Sequence, residues 1–241
     1  MDVFIYSNML TTCMSDVDYL KEPLDRMMEM LKAIEERRER LIKGTRDVVM
    51  LCSKAIVNIH AGNLNMAGEQ IARAEGIMDE LRHIAGEYPN LQIYLVGAET
   101  ELVEAKALYS IVREHRVPII DALSMTIMKA YLLGLLDCIG ELKRQVYDRV
   151  REGKSSDALR LFGMMEALYS MLLPFSAYDN IVQGIKRKVD VARILIEDVR
   201  AMLTEEVRRS SILEVMQRME MMVDKEKEKE GYSNREEGDD G

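Results

Sequence analysis

The chain has 241 residues, 48% of them apolar and 31% charged, with a net charge of −9. That length and apolar content support a sizeable core. No window long enough to span a bilayer is free of charge, and Val3-Phe4-Ile5-Tyr6 lacks the basic lead and long apolar run of a signal peptide. The acidic balance excludes a protein whose whole surface coats nucleic acid, because phosphate neutralisation dominates such binding; any nucleic-acid site must be a local basic patch or an enclosed chamber.

Residues 1–15 read as an uncertain lead. Helix formers dominate the rest of the chain, and only four prolines occur in all, so an all-α fold of long helices is expected. The first helix covers about 16–61, with Gly62-Asn63 closing it. A second runs over about 64–85 and breaks at Gly86-Glu87-Tyr88-Pro89. A third covers about 91–114, before Pro118. The fourth, about 119–151, is the most apolar and ends at Gly153. Ser155-Ser156-Asp157 offers an N-cap to a fifth helix that reaches about 172 and stops at Pro174. A sixth starts near 178, with Ile181, Ile185, Val189, Ala192 and Ile196 in one stripe.

No repeat of solenoid length and no linker appears, so residues 16–223 read as a single helical domain. Residues 224–241 carry a charge run without apolar period and read as a disordered tail. Cys13, Cys52 and Cys138 are odd in number and lack metal-ligand spacing. They read as buried thiols in a reducing cytoplasm, which is the expected location. The methionines at Met27, Met28 and Met30, at Met164 and Met165, and at Met219, Met221 and Met222 read as core and oligomer-interface filler.

Two acidic pairs interrupt apolar faces. The third helix has its stripe at Leu91, Leu95, Ala98, Leu102, Ala105, Tyr109 and Val112, and the neighbouring row reads Tyr94, Gly97, Glu101, Glu104, Leu108 and Ile111. Residues three apart share a helix face, so two carboxylates there repel unless protonated or bridged by a cation. On the fourth helix Asp137 is the only charged residue between Ala130 and Gly140, and Glu141 lies one turn further along the same face. A buried carboxylate needs a partner, and Gly134 and Gly140 would let a neighbouring helix come close. If the third and fourth helices pack together, the four acids suit a hard divalent cation such as Mg²⁺ or Mn²⁺, which activates water against a phosphodiester. Spacing alone leaves a structural ion-pair network equally open.

The run Tyr131-Leu132-Leu133-Gly134, then Asp137, Gly140-Glu141-Leu142 and Arg144, resembles a signature of the TRAX branch of the translin family. Glu101-Leu102-Val103-Glu104-Ala105 is similar to that branch's Glu-x-x-Glu-Ala segment. Arg38 to Lys43, Arg46-Asp47-Val48, Ser53-Lys54 and His60 are similar to its long first helix, and Lys188 to Ala192 with Glu197 to Arg200 to its closing helix. The resemblance covers about residues 35–200. It implies an all-α bundle of about six to seven helices assembled into closed oligomers, with an octamer expected, around an internal chamber. It also implies a Mg²⁺-dependent endoribonuclease in which Glu101, Glu104, Asp137 and Glu141 are the catalytic and metal-holding acids, with Mn²⁺ as a substitute ion.

The expected partner is single-stranded RNA, with single-stranded DNA or short duplex RNA as variants. Candidate RNA contacts are Lys43, Arg46 and Lys54 on the first helix. His60 and His115, isolated near helix ends, read as structural or exposed. The segment 82–89 is shorter and less basic than the nucleic-acid-binding stretch of translin. The chain also lacks the long insertion of some TRAX proteins, which implies a homo-oligomer, with assembly beside a translin-like subunit as the variant. No membrane partner is expected. The alternative function is a non-catalytic, translin-like shell that binds single-stranded RNA or DNA.

Overall fold

The computed structural model describes residues 17–119 and 125–236. Among these the chain forms six α-helices and no strand: α1 Lys21–His60, α2 Leu64–Gly86, α3 Val96–Glu114, α4 Met125–Arg151, α5 Ser155–Leu172 and α6 Ile185–Glu236. Short 3-10 turns cover Asp18–Leu20, Pro89–Leu95 and Leu173–Tyr178. The all-α expectation therefore holds. The lead at 1–15, with Cys13, lies outside the described residues, as do residues 120–124 and 237–241.

The structure falls into two compact units, and the division lies between Leu135 and Leu136, inside α4. In the first unit α1, α2 and α3 pack on one another. The seam of α2 is regular: Ala67, Ile71, Ala74, Met78, Leu81 and Ala85 recur every three or four residues and are all buried. The matching seam of α1 buries Leu41, Val48, Cys52, Ala55 and Ile59. Gly62 takes φ +79° just beyond α1, where its N–H meets the Ile59 carbonyl at 3.1 Å and Asn63 N–H meets Asn58 O at 2.8 Å. This left-handed close, which glycine adopts without steric cost, is the predicted helix stop.

At the other end of this unit α1 overhangs its partner. With 40 residues against 23 in α2, α1 is longer by roughly 25 Å at 1.5 Å per residue. The same three-four spacing continues backward through Ile34, Leu31, Met27, Leu24 and Leu20, but Leu31, Met27 and Leu24 are each about 60% exposed, beside exposed Met28 and Met30. Nearer the core the charge run is anchored. Arg37 donates to Glu87 at 2.8 and 3.0 Å and stacks over Tyr88, while Arg38 donates to the Tyr94 hydroxyl at 2.9 Å and stacks over its ring. These contacts hold the Pro89–Leu95 turn on α1.

The start of α4 belongs to the first unit and explains part of its motif. A Cβ placed on Gly134 would lie 2.6 Å from the Thr100 carbonyl oxygen and 2.8 Å from Val103 on α3. Only glycine permits that approach. Tyr131 donates from its hydroxyl to the Pro118 carbonyl at 2.9 Å, tying the approach to α4.

In the second unit α5 buries Ala158, Leu161, Met165, Leu168 and Leu172, and α6 packs on it. The stripe of α6 is shorter at its start than predicted and longer at its end. Ile181 is exposed because the helix begins only at Ile185, and Val182 is buried in its place; the buried set then runs Ile185, Val189, Ala192, Ile196, Val199 and Leu203. The predicted cap is also displaced: Ser155 is already helical, and Lys154 occupies the cap position with no side-chain hydrogen bond. Where the sequence reads disorder from 224, the structure continues α6 to Glu236. The segment Ser155–Tyr178 is long and apolar enough on average to reach the dimensions of a membrane span. It carries Glu166, however, paired with Arg200 of α6 at 2.6 Å, and packs its apolar stripe inside the unit.

Candidate functional site

The first acidic pair sits on the most enclosed helix of its unit. Around the middle of α3 the consecutive residues Leu102, Val103, Glu104 and Ala105 are all buried, so this helix has almost no solvent face there. Glu104 keeps only 9% of its surface, and Glu101 is half-buried. Opposite them, on α1, the Cys52 thiol is pushed up to about 12, first by burial and then by the fields of Glu101, Glu104 and Glu75. Three carboxylates therefore act on one buried point between α1, α2 and α3. Glu75 is the member that spacing does not reveal, since it lies on another helix; it pairs with Lys106 of α3.

The most buried acid among the described residues is one that the sequence does not single out. Glu99 is 2% exposed and receives both Nε and Nη2 of Arg82 at 2.7 Å, while Arg82 also donates to Asp79 at 2.5 Å. This two-pronged pair links α2 to α3 and holds the Arg82 guanidinium firmly protonated. In sequence Glu99 is one acid within a helix that reads as starting near 91, with nothing to separate it from a solvated surface acid.

The second acidic pair lies in the second unit. Asp137 is 28% exposed rather than fully buried, and it has the partner that its surroundings demand: Lys188 of α6 bridges both its oxygens. Glu141, one turn on, is half-buried. Further along the same two helices Lys143 pairs with Asp198 at 2.6 Å, and Tyr147 donates to that carboxylate at 2.9 Å. Hydrogen bonds from Lys143 and Tyr147 hold Asp198 below the usual carboxylate range. Since residues 137 and 188, then 143 and 198, meet in the same order, α4 and α6 run parallel in this unit.

Each pair is thus assembled within its own unit, and neither unit alone brings all four acids together. Among the described residues no three His, Cys, Asp or Glu side chains form a group able to hold a metal ion. The chemistry of the donors nevertheless suits a hard cation: all four are carboxylates, and the oxygens of Asp137 already hold a positively charged group. Lys43, Arg46 and Lys54 are exposed on one flank of α1. His115 is a structural residue, closing α3 at φ 60° with its N–H on the Ile111 carbonyl at 3.1 Å. His60 ends α1 half-buried.

The same helices occur in known proteins. A protein of Methanocaldococcus jannaschii without an assigned function is 26% identical over 229 residues, which is 92% of this chain and 96% of its own length. The crystal structure of AfC3PO is 30% identical, with a TM-score of 0.73, and the match covers 78% of this chain and 98% of that one. A structure of AfC3PO in complex with duplex RNA matches with the same identity and TM-score, over 78% and 97% of the two chains. Apo-NeC3PO shares the fold at 20% identity and a TM-score of 0.66. The translin family model matches residues 36–208, from the charged turn of α1 to just beyond the last buried residue of α6, and on that match the chain belongs to the translin family.

Proposed function

We propose that this chain is a TRAX-type, metal-dependent endoribonuclease that cuts single-stranded RNA inside a closed oligomer, in the cytoplasm. The observation that carries the reading is the placement of Glu101 and Glu104. They concentrate carboxylate oxygens at the enclosed centre of a helical unit, where their field reaches the Cys52 thiol. A bound Mg²⁺, or Mn²⁺ in its place, would supply an activated water and neutralise charge on the cleaved phosphodiester. Glu101, Glu104, Asp137 and Glu141 are the residues that would hold it. Lys43, Arg46 and Lys54 meet RNA phosphates without reading sequence, and the complex of AfC3PO with duplex RNA supports RNA as the ligand class.

The exposed apolar seam of α1 supports assembly of copies of this chain, with an octamer expected, or of this chain beside a translin-like subunit. A closed assembly also reconciles RNA binding with a net charge of −9, because the RNA is then met in an interior rather than on an acidic outer surface. The second reading is a non-catalytic RNA-binding shell, and the ammonium already held by Asp137 is the observation that favours it.

A labelled single-stranded RNA separates the two. The nuclease reading expects cleavage with Mg²⁺, none in EDTA, and a loss of at least about a hundredfold in rate for Asp137→Asn at unchanged RNA affinity, the magnitude expected when a charge-stabilising group is removed. Binding without cleavage in Mg²⁺ and in Mn²⁺ would leave the shell. Cleavage that Asp137→Asn leaves intact would remove Asp137 from the mechanism.

A further inference from the structure

Arg82 meets Glu99 and Glu75 meets Lys106, so α2 and α3 run antiparallel in the first unit. Beyond the second pair the two helices line a cleft of about 670 Å³, within the roughly 300–1,000 Å³ of small-molecule sites. From α3 come Lys106, Tyr109, Ser110 and Arg113, one helix face over about 10 Å. From α2 come Gly68 and Ala72, whose lack of long side chains leaves the space open.

The charges in the cleft are of two kinds. Lys106 and Glu75 satisfy each other. Glu69 of α2 and Arg113 of α3 are exposed on the two walls and enter no ion pair among the described residues. Arg113 lies 5.5 Å over the Tyr109 ring and donates to its hydroxyl, a neutral acceptor. That hydroxyl rests on α2, where a Cβ on Gly68 would lie 2.9 Å from it. The guanidinium is therefore held in place while most of its N–H donors are left for another acceptor.

An arginine with spare donors suits phosphate, which its planar fork meets at two points. A carboxylate without a cation suits hydroxyl donors, as when an acid accepts from a ribose. Ser110 and Asn65 add small hydrogen-bonding groups to the same cleft. Phosphate and a free vicinal diol occur together in a ribonucleoside 5′-phosphate. We propose that the cleft between α2 and α3 binds this unit, with the phosphate on Arg113 and the diol on Glu69. A free nucleotide carries the unit, and so does the 3′-terminal residue of an RNA strand. None of the four candidate acids lines the cleft, so the site stands apart from the nuclease reading.

Calorimetry of the full chain in EDTA, with AMP as the probe, tests the proposal without turnover. AMP is expected to bind, and adenosine and inorganic phosphate each at least about tenfold more weakly, since each loses the contacts of a charged group. Arg113→Gln is expected to cost about tenfold in AMP affinity and to leave adenosine binding unchanged. Glu69→Gln is expected to erase the preference for AMP over its 2′,3′-dideoxy analogue. Ala72→Leu fills the cleft from an exposed position, and is expected to abolish binding while melting like the natural chain. The proposal is overturned if AMP does not bind, or if phosphate alone binds as tightly as AMP. It is also overturned if Arg113→Gln and Ala72→Leu bind AMP as the natural chain does; should Arg113→Gln not fold, Ala72→Leu decides alone. A short RNA with a free 3′ end that displaces AMP, where its 3′-phosphorylated form does not, identifies the strand end as the ligand. No displacement by either identifies the free nucleotide. Absence of AMP binding would leave the nuclease reading intact, and absence of RNA cleavage would leave the cleft intact.

Discussion

Cys52 is fully buried on α1 and faces a concentration of negative charge on two neighbouring helices. Its ionisation answers first to burial and then to that charge. Burial is the larger cause and the carboxylates Glu101, Glu104 and Glu75 add to it, so the folded thiol ionises only near 12, against 9.0 when unperturbed. A group whose folded pKa is raised contributes stability that is fully present below the unfolded pKa and is lost as pH climbs through the folded value. The window here runs from about pH 9 to pH 12. Between about pH 7.5 and about pH 10.5 the natural chain is therefore expected to lose about 2 kcal/mol more unfolding free energy than Cys52→Ala, at about 1.4 kcal/mol per pH unit. Urea titrations at the two pH values measure it, and the alanine variant removes the background of lysine and tyrosine titration. Equal losses in the two proteins would show that neither burial nor the acids raise the thiol in the folded chain.

Helices α3 and α4 approach at Gly134 to a distance that excludes any side chain, whereas Gly140 further along α4 is not tightly covered: a Cβ there would sit 3.8 Å from Leu195. Two glycines of one helix should thus respond in opposite directions to the same change. Gly134→Ala forces the Thr100 carbonyl and Val103 to move and is expected to cost about 1–3 kcal/mol. Gly140→Ala gains helix propensity without a clash and is expected to be neutral or to stabilise by up to about 1 kcal/mol. Thermal midpoints of the two variants decide it, and a silent Gly134→Ala would disprove the close approach. The sequence singles out both glycines and cannot rank them, because closeness depends on what faces each one. The same limit governs the acids. Periodicity reveals Asp137 and its need for a partner, but Lys188 lies fifty-one residues away, and only packing names it. Glu99 and Glu75 are invisible for the same reason: their partners, Arg82 and Lys106, stand on other helices. Helix ends are legible wherever glycine or proline marks them, as at Gly62 and Pro174, and less so at Ile185, where a turn takes over a stripe that still looks helical.

At the scale of the whole molecule the unmet demand is the seam that α1 carries past the end of α2. Leu24, Met27 and Leu31 continue the spacing of the buried residues Leu41, Val48, Cys52 and Ala55 without a change of phase, so the helix presents the same kind of face to two kinds of surroundings. Exposed apolar side chains repeated along one helix face suit an association surface. The far end of α6 behaves alike, with Ile212, Val215, Met219 and Met222 exposed at three- and four-residue spacing. Methionine-rich faces of this kind adapt to a partner without demanding one fixed fit. The predicted assembly of copies therefore depends on side chains that do nothing for the fold of the single chain. Leu24→Glu with Leu31→Glu should leave helicity by circular dichroism unchanged, because both positions are already open to water. In an assembled seam the same two charges would be buried without partners, at a cost of several kcal/mol. Light scattering coupled to size exclusion is expected to show the natural chain as an oligomer and the double variant at lower mass. An unchanged mass would mean that α1 does not build the assembly, and the far end of α6 would then be left to hold it.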